Sequence, residues 1–231
     1  MNITDTIVLL SESKSKILNH LRKVNEENNF NYRTFGTEIE DYVVDILVKI
    51  LKEAGFINSE DDYNVAKDKN EFPDFTLNTT TPKLALEFKS GNLSKKSDGK
   101  WVKCNNSNND MGTLNKWEEK LSQFGGDNIY YIFIIYNFND NVKEISDIQI
   151  EPFYKFIGIN RDGTLKYREK DGNLRPKNFD EPSPITNLSI FEKLLGKTKI
   201  YRSKRIIKKH VKEIPIEERN VFLDSLKVLK S

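Results

Sequence analysis

The chain has 231 residues, 37% hydrophobic and 31% charged, with a net charge of only +2. That apolar share supports a sizeable core and excludes global disorder, and the length suits one domain over 1–231 with N- and C-terminal helical additions. A single cysteine, Cys104, excludes an internal disulfide framework.

The lone cysteine fits a reducing cytosol. The apolar run at 7–10 is too short for a signal peptide, and the longest one, 129–136, is far short of the ~20 residues that span a bilayer. The expectation is a cytoplasmic protein with no membrane contact. His20 and His210 are isolated, one cysteine cannot complete a zinc site, and no Gly-rich phosphate loop is present. Zinc chemistry and nucleotide hydrolysis are thereby set aside.

Charge is uneven along the chain. Residues 38–62 hold eight acidic and two basic side chains, and residues 193–212 hold nine Lys or Arg and no acid. The basic stretch fits a phosphate backbone as well as it fits a solvated helix.

Residues 7–24 have helical spacing. A clearer stripe follows in Ile39, Tyr42, Val43, Ile46, Ile50 and Leu51, which recur at the 3.6 period. Residues 58–70 are polar and read as loop. Short strands are expected at 75–77 and 84–88, joined as a hairpin through the Asn-Thr-Pro segment 78–82. Residues 90–110 are rich in Lys, Ser and Asn and show little periodicity.

A helix is expected over 114–124, stopped by Gly125 and Gly126. The apolar and aromatic run 129–138 predicts a central strand covered on both faces. Strands follow at 142–150 and 154–159, with turns at Asp162-Gly163 and Asp171-Gly172. Residues 181–184 form a loop, helices are expected at 190–195 and 204–212, and Pro215 opens a last helix through 229. The sum is an α+β chain, a mixed central β-sheet flanked by helices.

The chemistry concentrates in the hairpin. Along 84–89, Leu84, Leu86 and Phe88 point one way, and Ala85, Glu87 and Lys89 the other, because strand side chains alternate. A carboxylate and an ammonium on a strand that otherwise reads as core are costly unless used. A turn centred between Thr80 and Thr81 makes the numbers of opposed residues sum to about 161, which sets Asp74 opposite Glu87 with Cβ atoms ~5 Å apart. Two carboxylates that close repel unless a proton or a cation lies between them. Oxygen ligands at this spacing suit Mg²⁺, and the backbone carbonyl of Phe88 is a further candidate ligand. Against this stands an ordinary surface Glu–Lys pair.

Phe72, Pro73, Asp74, Phe75, Thr76 and Leu77, followed by the stretch from Leu84 through Glu87 and Lys89 to Ser90, resemble the PD-(D/E)xK nuclease motif as type II restriction endonucleases carry it. The similarity is nearest in look to blunt-cutting, EcoRV/HincII/SwaI-like enzymes. Three stretches agree in order: 36–43 with the helix before the motif, 107–113 with the segment after it, and 201–205 with a basic turn opening a late helix. The resemblance implies a restriction-endonuclease-like core, Mg²⁺, a homodimer, a cognate DNA methyltransferase, and cleavage of double-stranded DNA at a short palindrome. It also implies a helix carboxylate. Glu38 and Glu40 compete for that place from opposite edges of the apolar stripe, with Glu40 slightly favoured.

The asparagines Asn105, Asn106, Asn108 and Asn109 are candidates for base contact, since Asn can pair bidentately with adenine. Asp110 and Thr113 belong to the same segment. Arg175 and Lys177 form a second candidate, and Arg202, Lys204 and Arg205 suit phosphates. A structure-specific repair or junction nuclease, and a non-catalytic DNA-binding protein, remain alternatives.

Overall fold

The computed structural model of the chain describes residues 2–31, 34–68, 71–95, 97–98, 101–103, 110–139, 142–179 and 181–228. The sheet has the order β1-β2-β3-β5-β6, with β4 pairing β3. Its strands are β1 (Tyr63–Val65), β2 (Phe75–Leu77), β3 (Leu84–Lys95), β4 (Trp101–Lys103), β5 (Ile129–Asn139) and β6 (Val142–Pro152). β5 is apolar at nearly every position, and it lies parallel to β3 and antiparallel to β6. Parallel neighbours require a crossover. Here it carries the helix Trp117–Phe124, numbered α5 because four helices precede it.

Those four are α1 (Ile3–Glu12), α2 (Lys14–Asn28), α3 (Phe35–Glu38) and α4 (Glu40–Glu53); α6 (Leu188–Glu213) and α7 (Arg219–Val228) close the chain. Alternation along the strands divides the core in two. Leu84, Leu86, Phe88, Ile132 and Ile134 pack with α1, α2 and α4, whose buried stripe is Val43, Ile46, Leu47, Ile50 and Leu51. Ala85, Tyr131, Phe133 and Ile135 pack with α5 and the start of α6. On that second face Trp117 stacks on Phe153 at 4.1 Å and 18°, and Phe191 meets Phe153 edge-on at 4.8 Å. No helix among the described residues is long and apolar enough to cross a membrane.

Five expectations need correction. Residues 7–24 fall in two helices that meet at Ser13, which caps α1 and precedes α2. The polar stretch 58–70 contains the edge strand β1, whose three residues pair with β2. The segment 154–159 is no strand: a 3-10 turn spans Phe153–Phe156, followed by isolated bridges at Ile157 and Ile159. Its residues Phe153, Tyr154, Phe156 and Ile157 are all buried, so they fill the second core without alternating.

The two late helices are one. α6 runs unbroken through Gly196, where an added Cβ would meet nothing within 4 Å. An isolated glycine costs a helix only ~1 kcal/mol relative to alanine, so it weakens the segment without ending it. Likewise β3 continues past Ser90 to Lys95, into the stretch that lacked periodicity.

Candidate active site

The hairpin register is the one the sequence predicts. Phe75 pairs with Leu86, Thr76 with Ala85 and Leu77 with Leu84, each pair summing to 161. One step further, Asp74 stands beside Glu87, and its Oδ2 accepts a hydrogen bond from the Phe88 N–H. A strand residue's N–H and C=O project to the same edge, so the Phe88 carbonyl also faces Asp74, beyond the last hairpin pair. Lys89 Nζ donates to Glu87 Oε1 at 2.6 Å. Glu87 is only 7% exposed, and its Oε2 is buried without a hydrogen-bond partner.

Burial, and then the Glu87 carboxylate, push the Asp74 carboxyl up to about 6, with Lys89 and the Phe88 N–H partly offsetting them. Burial works against the charge on Lys89. Glu87 and Asp74 outweigh it, and the Lys89 pKa is raised above its ordinary 10.5. Lys89 is therefore held as an ammonium beside the two carboxylates. Beneath it lies the buried Tyr131 ring, 6.0 Å from Nζ, on the residue that β5 aligns with Glu87.

The helix carboxylate that joins this group is Glu40. It opens α4, half-buried, while Glu38 is exposed in the separate turn α3. Burial, then Asp74, push the Glu40 carboxyl up to about 7; Glu87 adds to this and Lys89 opposes it. α3 packs closely on β3 at Gly36, where an added Cβ would come within 2.6 Å of Ser90 Oγ. A larger residue there would require the Ser90 hydroxyl to turn away from α3.

A cleft of about 440 Å³ opens beside Glu87 and is also lined by Phe72, Asp110, Thr113, Lys120 and Asn173. It thus gathers Glu87, Asp110 and Thr113 from the sequence candidates. Asp110 is tied to the protein: its carboxylate accepts from Arg175 and from Arg168, the latter at 2.8 Å, and from Asn173 at 3.2 Å. Thr113 bridges Asn173, and the Met111 N–H donates to the Leu174 carbonyl at 3.0 Å. Two distant segments are thereby laced into one wall of the cleft.

The remaining basic candidates do not line this cleft. Lys177 Nζ donates to the carbonyls of Asn178 and Glu181. Arg202 donates to the Glu169 carbonyl at 3.4 Å, Arg205 pairs with the Glu169 side chain at 2.9 Å, and Lys204 is exposed. Asn105, Asn106, Asn108 and Asn109 lie outside the described residues.

Sequence reasoning missed Lys120. Its Nζ lies 3.5 Å from the centroid of the Phe72 ring and 5.2 Å from that of Trp117. Burial pushes its ammonium down to about 8, with Glu87 and Asp74 partly restoring it. The available signal was helical spacing: Trp117, Leu121 and Phe124 face the core, leaving Lys116 and Lys120 one turn apart on the flank.

Among the described residues, no group of three or more His, Cys, Asp or Glu side chains forms a ready metal cage. The arrangement still suits Mg²⁺, which uses one or two carboxylates and completes its shell with water and substrate phosphate. All donors on offer are hard oxygens, and Glu87 Oε2 lacks any other partner.

No family model and no curated protein sequence matches the chain. Fourteen solved chains match in structure. One of them is the NlaIV restriction endonuclease, with a TM-score of 0.54 and 16% identity, over 74% of this chain and 66% of that one. About a third of that neighbour's length therefore has no counterpart here. At this identity the likeness speaks for architecture: the chain has a restriction-endonuclease-like α+β fold.

Proposed function

We propose that the protein is a type II restriction endonuclease of the PD-(D/E)xK kind, hydrolysing phosphodiester bonds of double-stranded DNA at a short palindromic sequence with Mg²⁺. The observation that carries this reading is the placement of Asp74 against Glu87 across the hairpin, with Lys89 bonded to Glu87 on the same face. The fold shared with a restriction endonuclease supports it. The same reading includes a homodimer, a partner DNA methyltransferase for self-protection, and kinship with the blunt-cutting EcoRV/HincII/SwaI-like group.

Asp74, Glu87 and the Phe88 carbonyl would hold Mg²⁺, and Glu40 would join them from α4. When bound, the metal polarises the scissile phosphate and makes water a stronger nucleophile. Lys89, held as an ammonium, orients the attacking water and offsets negative charge on the phosphoryl oxygens in the transition state. Glu40, with its carboxyl near neutrality, takes up or releases a proton at working pH. Asp110 holds Arg175, and the 110–114 and 172–175 segments form the wall along which the duplex lies, with Thr113 on it and Lys177 meeting the DNA beyond it. Arg202, Lys204 and Arg205 meet phosphates, and Asn106, Asn108 and Asn109 read bases.

The test is incubation of the purified protein with several unmethylated linear DNAs and Mg²⁺. Discrete fragments support the reading; a smear, or no cutting of any substrate, overturns it. Cleavage of branched but not linear duplexes would assign a structure-specific nuclease instead.

A further inference from the structure

Two lysines at the start of α5 line the cleft with no ion pair among the described residues: Lys116, which is exposed, and Lys120, which is half-buried. The other cations near the site are paired. Lys89 is bonded to Glu87, Arg168 and Arg175 to Asp110, and Arg205 to Glu169. Lys120 makes no ion pair or hydrogen bond among the described residues. The residue is half-buried, its ammonium lies 3.5 Å from the Phe72 ring centroid, and it lines the same cleft as Glu87. Withholding an ammonium from water without an anionic partner is costly. Cation–π contact recovers part of that cost and fixes the position of the group, yet leaves N–H donors free to reach a ligand. Phe72 is also two residues from Asp74, so the same ring that seats Lys120 leads the chain into the carboxylate pair.

A second cleft, of about 600 Å³, shares Glu71, Phe72 and Gln123 with the first. Lys120 therefore stands next to the place where the two meet, on the path of any extended ligand that runs from one to the other. An ammonium with spare donors in an open, polar groove takes an anion that arrives with the ligand, and on the nuclease reading above that anion is a phosphodiester.

We propose that Lys120 binds a backbone phosphate of the cleaved DNA strand, a second lysine of the site beside Lys89 and outside the sequence motif. The contact is lost if its charge is removed and kept if another cation reaches the same oxygen.

Binding of a defined duplex is measured in Ca²⁺ over about 50 to 200 mM salt for the wild type, Lys120→Met and Lys120→Arg. Methionine keeps an unbranched apolar stem over the Phe72 ring. The expected result for Lys120→Met is binding about tenfold weaker. Its plot of log affinity against log salt should be shallower by about 0.9, the share of one phosphate contact. Lys120→Arg should keep the wild-type slope.

An unchanged slope in Lys120→Met overturns the proposal even if affinity falls, because a purely structural lysine releases no counterion. A second readout needs no variant: DNA should protect Lys120 of the wild type from reductive methylation, scored by mass spectrometry, and equal labelling with and without DNA overturns the proposal. Wild type that neither binds nor cuts DNA overturns the nuclease reading itself, and this proposal with it. Wild type that cuts while Lys120→Met keeps its salt slope removes Lys120 alone.

Discussion

Replacing Glu40 with Gln should make the protein more stable while making it a worse enzyme. The Glu40 carboxyl is pushed from 4.5 up to about 7, first by burial and then by Asp74, so its ionised form is disfavoured in the folded state. At ~1.4 kcal/mol per pH unit that displacement corresponds to about 3 kcal/mol. Glu40 is only half-buried, and solvent screening reduces this to about 1.5 kcal/mol.

The folded-state pKa lies above the unfolded one. The wild type therefore has its full stability below about pH 4.5 and loses it as pH rises through 7. Glutamine does not titrate, so the benefit of Glu40→Gln should be near zero at pH 4.5 and full at pH 8. For a chain of this length, about 1.5 kcal/mol raises Tm by roughly 3–6 °C. The assay is thermal unfolding of both proteins in EDTA at the two pH values, with Mg²⁺-dependent cleavage measured alongside. A Tm gain equal at both pH values, or a loss at pH 8, would refute the placement of Glu40 among the carboxylates.

Lys89→Ala should reduce the cleavage rate by on the order of 10²–10³ while the fold and most DNA affinity remain, as read by single-turnover cleavage and gel-shift binding. On the proposed Mg²⁺ site, metal binding would displace protons from Asp74, pushed up to about 6, and from Glu40, pushed up to about 7. The Mg²⁺ concentration for half-maximal cleavage should therefore rise as pH falls from 8 to 6, and a constant value would remove both carboxylates from the ligand set. Trp117→Ala should destabilise the chain by about 3–5 kcal/mol in denaturant titration, since the ring is fully buried and stacked on Phe153. A loss under 1 kcal/mol would contradict the packing of α5 against β5.

Much of this was legible in the chain. Burial on both faces gave β5 a run with no alternation, and that run alone marked a strand with neighbours on both sides, β3 and β6. In the hairpin the opposite held: alternation separated Glu87 and Lys89 from Leu86 and Phe88, and turn length set the register to within the observed pair sum of 161. What escaped notice lacked a periodic signal. β1 is three residues long at a sheet edge, and only its first residue is even half-buried.

The choice between Glu38 and Glu40 depended on a break that periodicity cannot express. Ile39 separates α3 from α4, so the two carboxylates do not share one helix. Treated as a continuous stripe, they sat symmetrically at its edges. Lys120 was hidden for another reason. The Phe72 ring it rests on and the Glu87 that shares its cleft are distant in sequence, and only the tertiary fold brings α5 over the segment that leads into Asp74.

The central claim is that the carboxylate pair cuts DNA at one defined sequence. Sequencing the ends left by wild type and by Glu87→Gln on the same unmethylated DNA tests it most directly. The account predicts that wild-type ends all fall within one short palindrome and that Glu87→Gln leaves none. Ends scattered without sequence preference, or the same ends from both proteins, would contradict it.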